Sequence, residues 1–131
     1  MSSSPKIDNY KPNKLFLFLE YIAVLSVLIM GFNQAIITLF NPTSYKILDA
    51  MTVGAGLFIL LVGAINLFAL YFNKYEPLLL SLFSNSIALA YVILINTILV
   101  GVSSLAAIVP FIMLIGLNIV RYKKLTVAKT V

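Results

Sequence analysis

Residues 78–120 carry no charge, and this long run decides the class of fold. A single straight α-helix over that run would measure roughly 64 Å, whereas the hydrocarbon core of a bilayer is about 30 Å thick. The run must therefore fold back on itself. The sequence offers one reversal, at residues 100–104, because Gly101 can end one helix and Ser103 or Ser104 can begin the next.

Composition places the chain in lipid rather than in water. Of its 131 residues, 62% are hydrophobic and 10% are charged, whereas about a quarter of a soluble domain is charged. The chain has no Cys or His, which excludes thiol nucleophiles, imidazole bases and most transition-metal sites. Its four acids supply little for carboxylate catalysis. We therefore expect an all-α integral membrane protein that is not an enzyme and holds no cofactor and no metal.

Two proline-containing segments and the reversal at residues 100–104 divide the chain into four spans. Pro42 ends the first, because a proline disfavours helical geometry in the residue before it, and residues 73–77 form a polar turn that ends in Pro77. Pro110 predicts a kink inside the fourth span. We predict transmembrane helices over residues 15–40, 48–72, 78–99 and 104–120, packed as a compact antiparallel bundle. Residues 1–14 are predicted to be a flexible cytoplasmic tail, and residues 121–131 a basic cytoplasmic tail.

The basic residues predict the orientation. If both termini are cytoplasmic, every Lys and Arg except Lys46 lies on the cytoplasmic side, as the positive-inside rule requires. These residues flank apolar runs and do not alternate with aromatic side chains, so nucleic acid is not an expected partner. We expect a multi-pass protein of a bacterial plasma (inner) membrane. Its expected partners are the lipid bilayer and either other membrane-protein subunits or further copies of itself.

Small and polar residues predict which side of each helix faces the bundle interior, because helices in lipid associate through close packing and interhelical hydrogen bonds. At 100° per residue, one side of each predicted helix collects such residues. The residues predicted to pack at helix interfaces are Gly31, Gly56, Gly63 and Ala88. The polar candidates for the interior are Gln34, Asn66, Asn85, Asn96 and Asn118. They serve as hydrogen-bonding groups between helices in one interpretation and line a polar pathway in the other.

Glu20 is the one ionisable side chain near hydrocarbon depth, and a carboxylate within a membrane is a functional-site hypothesis. It lies about 12 Å from the centre of the first span. Three interpretations are open: an interfacial residue paired with Lys or Arg from a tail, a buried hydrogen bond to a partner such as Asn118, or a carboxylate that couples transport to a proton or cation. The interfacial interpretation predicts that Glu20→Gln is nearly silent.

Two functions follow from these patterns. The favoured one is a non-enzymatic accessory or structural subunit of a membrane complex, or a homo-oligomer, because small and polar stripes occur without concentrated chemistry and the loops are short. The alternative is a small proton- or cation-coupled transporter or channel with Glu20 as the coupling carboxylate. A four-helix bundle has little room for a solute path, so the alternative requires a dimer. The sequence assigns the chain to no family.

Overall fold

The computed structural model describes residues 13–42, 44, 46–72, 74–98 and 106–130. This part of the chain forms four helices and no strand: α1 Lys14–Phe40, α2 Lys46–Phe72, α3 Tyr75–Ile98 and α4 Ile108–Thr130. Each helix packs against its neighbours in the chain, and α4 also packs against α1. The four helices therefore form a closed ring around one core.

The first three helices start and end within three residues of the predicted spans. All three are long and apolar enough to cross a membrane, by length and composition. Residues 1–12, predicted to be tail, and the predicted reversal at residues 100–104 lie outside the described residues.

Helix α4 differs from the predicted fourth span. It begins at Ile108, so Pro110 lies in its first turn, where backbone N–H groups have no partner within the helix. The predicted interior kink is therefore wrong. The helix also continues past Val120 to Thr130. Its buried residues follow spacings of three and four through this basic segment: Phe111, Leu114, Asn118, Arg121 and Leu125.

Helix α1 contains a π-helical segment, Asn33–Ile37, that the sequence did not predict. Val27, Gly31 and Ala35 are buried at intervals of four residues, and a wider turn accommodates this spacing better than an α-helix of 3.6 residues per turn. Gln34, predicted to face the interior, is only half-buried. Ala35 takes the fully buried position because it packs against the backbone of Gly56.

Apolar side chains fill the core and also cover the outside. The core residues are Ala23, Val24, Val27, Ile59, Val62, Leu70, Ala88, Val92, Phe111 and Leu114. Large apolar side chains are exposed along all four helices, up to 82% for Tyr71. Soluble monomers rarely expose contiguous apolar surface of this extent, so the exterior suits a lipid or protein environment.

Candidate functional site

Six buried polar side chains meet inside the bundle at the end where α1 and α3 begin. Every helix contributes at least one of them, and each is at most 4% exposed. We call this group the polar layer. Its members are Glu20 of α1, Asn66 of α2, Ser81 and Asn85 of α3, and Asn118 and Arg121 of α4.

Two side-chain amides join α2 to α3. Asn66 Nδ2 donates to Asn85 Oδ1 at 2.9 Å, and Asn85 Nδ2 donates to Asn66 Oδ1 at 2.8 Å. Asn66 Nδ2 also donates to the backbone carbonyl of Val62 at 2.8 Å. Both donor hydrogens of Asn66 are therefore used, as buried polar groups require.

Ser81 extends the network to α4. Its Oγ donates to Asn66 Oδ1 at 2.7 Å and accepts from Asn118 Nδ2 at 2.8 Å. The direction of these bonds follows from the Val62 carbonyl, which can only accept and so fixes the orientation of the Asn66 amide. Ser81 has one hydrogen, which it gives to Asn66, and it can only accept from Asn118. The Asn118 amide is consequently held with Nδ2 toward Ser81.

A buried ion pair joins α1 to α4. Arg121 Nη2 donates to Glu20 Oε2, and both side chains are enclosed by the bundle. The interfacial interpretation expected a Lys or Arg from a tail, and Arg121 is the first residue of the predicted C-terminal tail. That segment is part of the packed helix α4. Arg121 was not among the predicted site residues. The signal for it is the spacing of α4, because Arg121 follows Asn118 by three residues and Leu114 by seven, on the same buried face.

The burial of this pair changes the expectation for Glu20→Gln. Removing one partner of a buried ion pair leaves the other charge uncompensated in an apolar interior, which is strongly destabilising. The nearly silent substitution that the interfacial interpretation predicted is therefore no longer expected. Asn118, the hydrogen-bond partner suggested for Glu20, bonds Ser81 instead.

Within the described part of the chain, two atoms of the polar layer have no hydrogen-bond partner: Asn118 Oδ1 and Arg121 Nη1. One is an acceptor and the other is a donor. Both belong to α4 and lie one helical turn apart.

One of the predicted polar residues, Gln34, does not join the layer. Gln34 lies in the π-helical segment, roughly 21 Å further along α1 than Glu20. Asn96 lies on α3, but its side chain is outside the described residues. The polar layer thus contains Glu20, Asn66, Asn85 and Asn118 of the predicted set, and it includes Ser81 and Arg121 as well.

At the predicted packing positions, the backbones of α1 and α2 are in close contact. We call Gly31, Ala35 and Gly56 the glycine crossing. A Cβ atom on Gly56 would lie 2.8 Å from Ala35 Cα, and one on Gly31 would lie 2.8 Å from the backbone nitrogen of Leu60. Gly63 faces a side chain instead, with Leu28 Cδ2 at 2.5 Å from the position of its Cβ. Ala88 is buried in the apolar core.

Aromatic and basic side chains surround the polar-layer end of the bundle. The hydroxyls of Tyr75 and Tyr122 are 3.0 Å apart and form a hydrogen bond between α3 and α4. Lys124 Nζ lies 5.4 Å from the centre of the Phe16 ring, a cation–π distance. These contacts attach the basic half of α4 to both of its neighbours.

Two surface grooves lie at the opposite end of the bundle. One, of about 600 Å³, is lined by Ser44, Lys46, Ile47, Leu48 and Met51. The other, of about 450 Å³, lies between the end of α1 and the start of α2 and is lined by Thr38, Leu39, Pro42, Asp49, Ala50, Val53, Gly54 and Leu57. No member of the polar layer lines either groove.

Among the described residues, no group of three or more His, Cys, Asp and Glu side chains is placed to hold a metal ion. No family model, curated protein or solved structure matches the chain. Its function is therefore inferred from its own residues and their geometry.

Proposed function

We propose that this chain is a multi-pass integral membrane protein that acts without catalysis, as an accessory or structural subunit packed against other membrane-protein subunits or against copies of itself. All four helices cross the bilayer in this proposal, with both termini in the cytoplasm. The polar-layer end then lies on the cytoplasmic side.

The observation that carries the proposal is how the interior polar groups are used. Asn66, Ser81 and Asn85 bond one another, Asn118 bonds Ser81, and Glu20 bonds Arg121. Such bonds between helices are the usual role of polar side chains inside a membrane bundle. The chemistry of the interior is thus engaged in holding the helices together, and the outer surface remains available for lipid and for partner subunits.

The same geometry weakens the transporter alternative. A coupling carboxylate must exchange a proton or cation with the solvent, but Glu20 is buried and bonded to a fixed cation. Gln34, proposed to line the route, is roughly 21 Å away along α1. The grooves at the opposite end do not reach the polar layer.

Thiol labelling tests the proposed topology. The native chain has no Cys, so single cysteines replacing Ser44 and Lys74 can be compared without background. In intact cells, a membrane-impermeant thiol reagent is expected to label Ser44→Cys and to leave Lys74→Cys unlabelled. Both positions should react after the cells are opened. Labelling of Lys74→Cys in intact cells would contradict the topology.

The assembly state tests the subunit role. Native mass spectrometry after extraction in mild detergent is expected to find a complex of fixed stoichiometry that contains more than one chain. Recovery of a lone 14.4 kDa chain would contradict the proposal. Proton- or cation-driven uptake in liposomes, lost in a Glu20→Gln variant that still folds, would establish the transporter alternative instead.

A further inference from the structure

Helix α4 presents one buried donor group and one buried acceptor that no other described residue satisfies. They are Arg121 Nη1 and Asn118 Oδ1. Residues three apart in a helix lie on the same face, with their Cβ atoms about 5 to 6 Å apart. Buried polar groups in native proteins nearly always have a partner, so this pair of atoms calls for one.

The neighbouring hydrogen bonds determine which of the two atoms donates and which accepts. Ser81 accepts from Asn118 Nδ2, which leaves Oδ1 as the free end of that amide. Glu20 holds Nη2 of Arg121, and the planar guanidinium then fixes the direction of Nη1. The site therefore offers an NH2 group that donates, Arg121 Nη1, and one oxygen that accepts, Asn118 Oδ1.

We infer that Arg121 Nη1 and Asn118 Oδ1 form a binding site for one neutral hydroxylic molecule, a water. Its oxygen accepts from Arg121 Nη1, and one of its hydrogens is donated to Asn118 Oδ1. Buried waters in proteins typically make two to four such bonds to otherwise unsatisfied groups.

Charge excludes the other simple occupants. An anion could accept from Arg121, but it could not donate to Asn118 and would be repelled by the Glu20 carboxylate. A cation could bind Asn118 Oδ1, but it would be repelled by Arg121. Only a neutral group that both donates and accepts fits these two atoms together with the ion pair beside them.

The surroundings favour a small occupant. On the buried face of α4, Leu114 lies one turn before the site and Leu125 lies one turn after it, and both are fully enclosed. These apolar side chains offer no further hydrogen bonds. A water molecule is the smallest neutral group that can bond both polar atoms.

The bridge would join two networks that have no direct hydrogen bond between them in the described structure. One is the Glu20–Arg121 pair between α1 and α4. The other runs through Asn85, Asn66 and Ser81 to Asn118. With water between Arg121 and Asn118, the hydrogen bonds would run continuously through all four helices.

A density map of the wild-type chain in lipid, at better than about 2 Å resolution, tests the site directly. We expect one round peak within hydrogen-bond distance, about 2.7 to 3.2 Å, of both Arg121 Nη1 and Asn118 Oδ1. A direct bond between the two side chains, or no peak, would overturn the inference. Elongated density that leaves the site would also overturn water, and would assign the site to a detergent or lipid hydroxyl.

A double-mutant cycle gives a second test in solution. Asn118→Ala removes the acceptor, and Arg121→Lys removes Nη1 while it keeps a cation for Glu20. We expect the effect of the double variant on the unfolding constant to be at least about threefold smaller than the product of the single effects. Leu114→Ala with Arg121→Lys is the control cycle, because Leu114 shares the face but has no polar atom, and its effects should multiply. Equal coupling between the substitutions in the two cycles would overturn the water bridge.

Discussion

The polar layer and the glycine crossing hold the same bundle by different means. The layer joins all four helices through side chains, with donor–acceptor distances of 2.7 to 3.4 Å among the amides and Ser81. The crossing joins only α1 and α2, through backbone atoms that approach because Gly31 and Gly56 have no side chain.

The two regions fix the positions of their helices in different ways. In the layer, every donor must meet an acceptor, so the helices are fixed by the identity of their polar atoms. In the crossing, the fit depends on shape alone, and any atom added to the contact must displace the backbone of the facing helix. Substitutions in the crossing should therefore lower the free energy of unfolding most. In the layer, the loss should increase with the number of polar groups left unpaired.

The largest effect is expected for Gly56→Leu. A side chain at this position meets the backbone of Ala35 and Gly31, which cannot rotate away, so we expect the free energy of unfolding to fall by about 3 kcal/mol or more. Thermal unfolding in detergent measures it. Gly54→Leu is the matched control, because nothing lies within 4 Å of that position. Equal stability of the two variants would show that the helices do not cross at Gly56.

Glu20→Gln should come next. It leaves the buried guanidinium of Arg121 without its counter-charge, and we expect a loss of about 3 kcal/mol in the free energy of unfolding. Adding Arg121→Gln restores neutrality and should recover at least half of the loss. A single variant as stable as the native chain would mean that solvent or lipid headgroups reach Arg121.

Asn66→Leu should cost less, about 1 to 2 kcal/mol, because bonds between helices in membranes are individually modest. The substitution leaves the Asn85 amide and the Ser81 hydroxyl without their partner on α2. Ser86→Ala is the control, since Ser86 Oγ bonds only the Leu82 carbonyl of its own helix among the described contacts. That variant should change the free energy of unfolding by less than about 0.5 kcal/mol. An equal effect of the two substitutions would contradict the network.

The smallest effect is expected for Gly63→Ala. The added methyl group meets the end of the Leu28 side chain, which can move to another rotamer, so the loss should stay below about 1 kcal/mol. Gly56→Ala, which meets backbone, should lose more. The ratio of the two losses in the same denaturation assay sharpens the distinction between side-chain and backbone contact. A larger loss for Gly63→Ala than for Gly56→Ala would contradict this distinction.

The sequence predicts much of the fold because prolines and polar turns mark the ends of α1, α2 and α3, and because each inner face is rich in small and polar residues. It does not predict which inner residues meet. Asn66 and Asn85 lie on inner faces by their angular positions, but their pairing depends on how far α2 and α3 are shifted along each other. No local pattern encodes that shift.

Two further features could not be predicted from the sequence. Arg121 resembles a residue of a basic tail until the buried spacing of α4 is followed beyond Val120. The π-helical segment Asn33–Ile37 has no compositional signal, and it lies where Ala35 closely approaches Gly56 on another helix. In both cases the decisive information lies in tertiary packing.

The ion pair also determines when the ring of helices can close during synthesis. Glu20 and Arg121 are 101 residues apart in the chain, and ribosomes add about 5 to 20 residues per second. The first helix is thus synthesised with a bare carboxylate, and its counter-ion follows about 5 to 20 seconds later. During that interval α1 lacks its final neighbour. Closure of the ring is therefore expected to wait until the end of α4 delivers the charge that α1 requires.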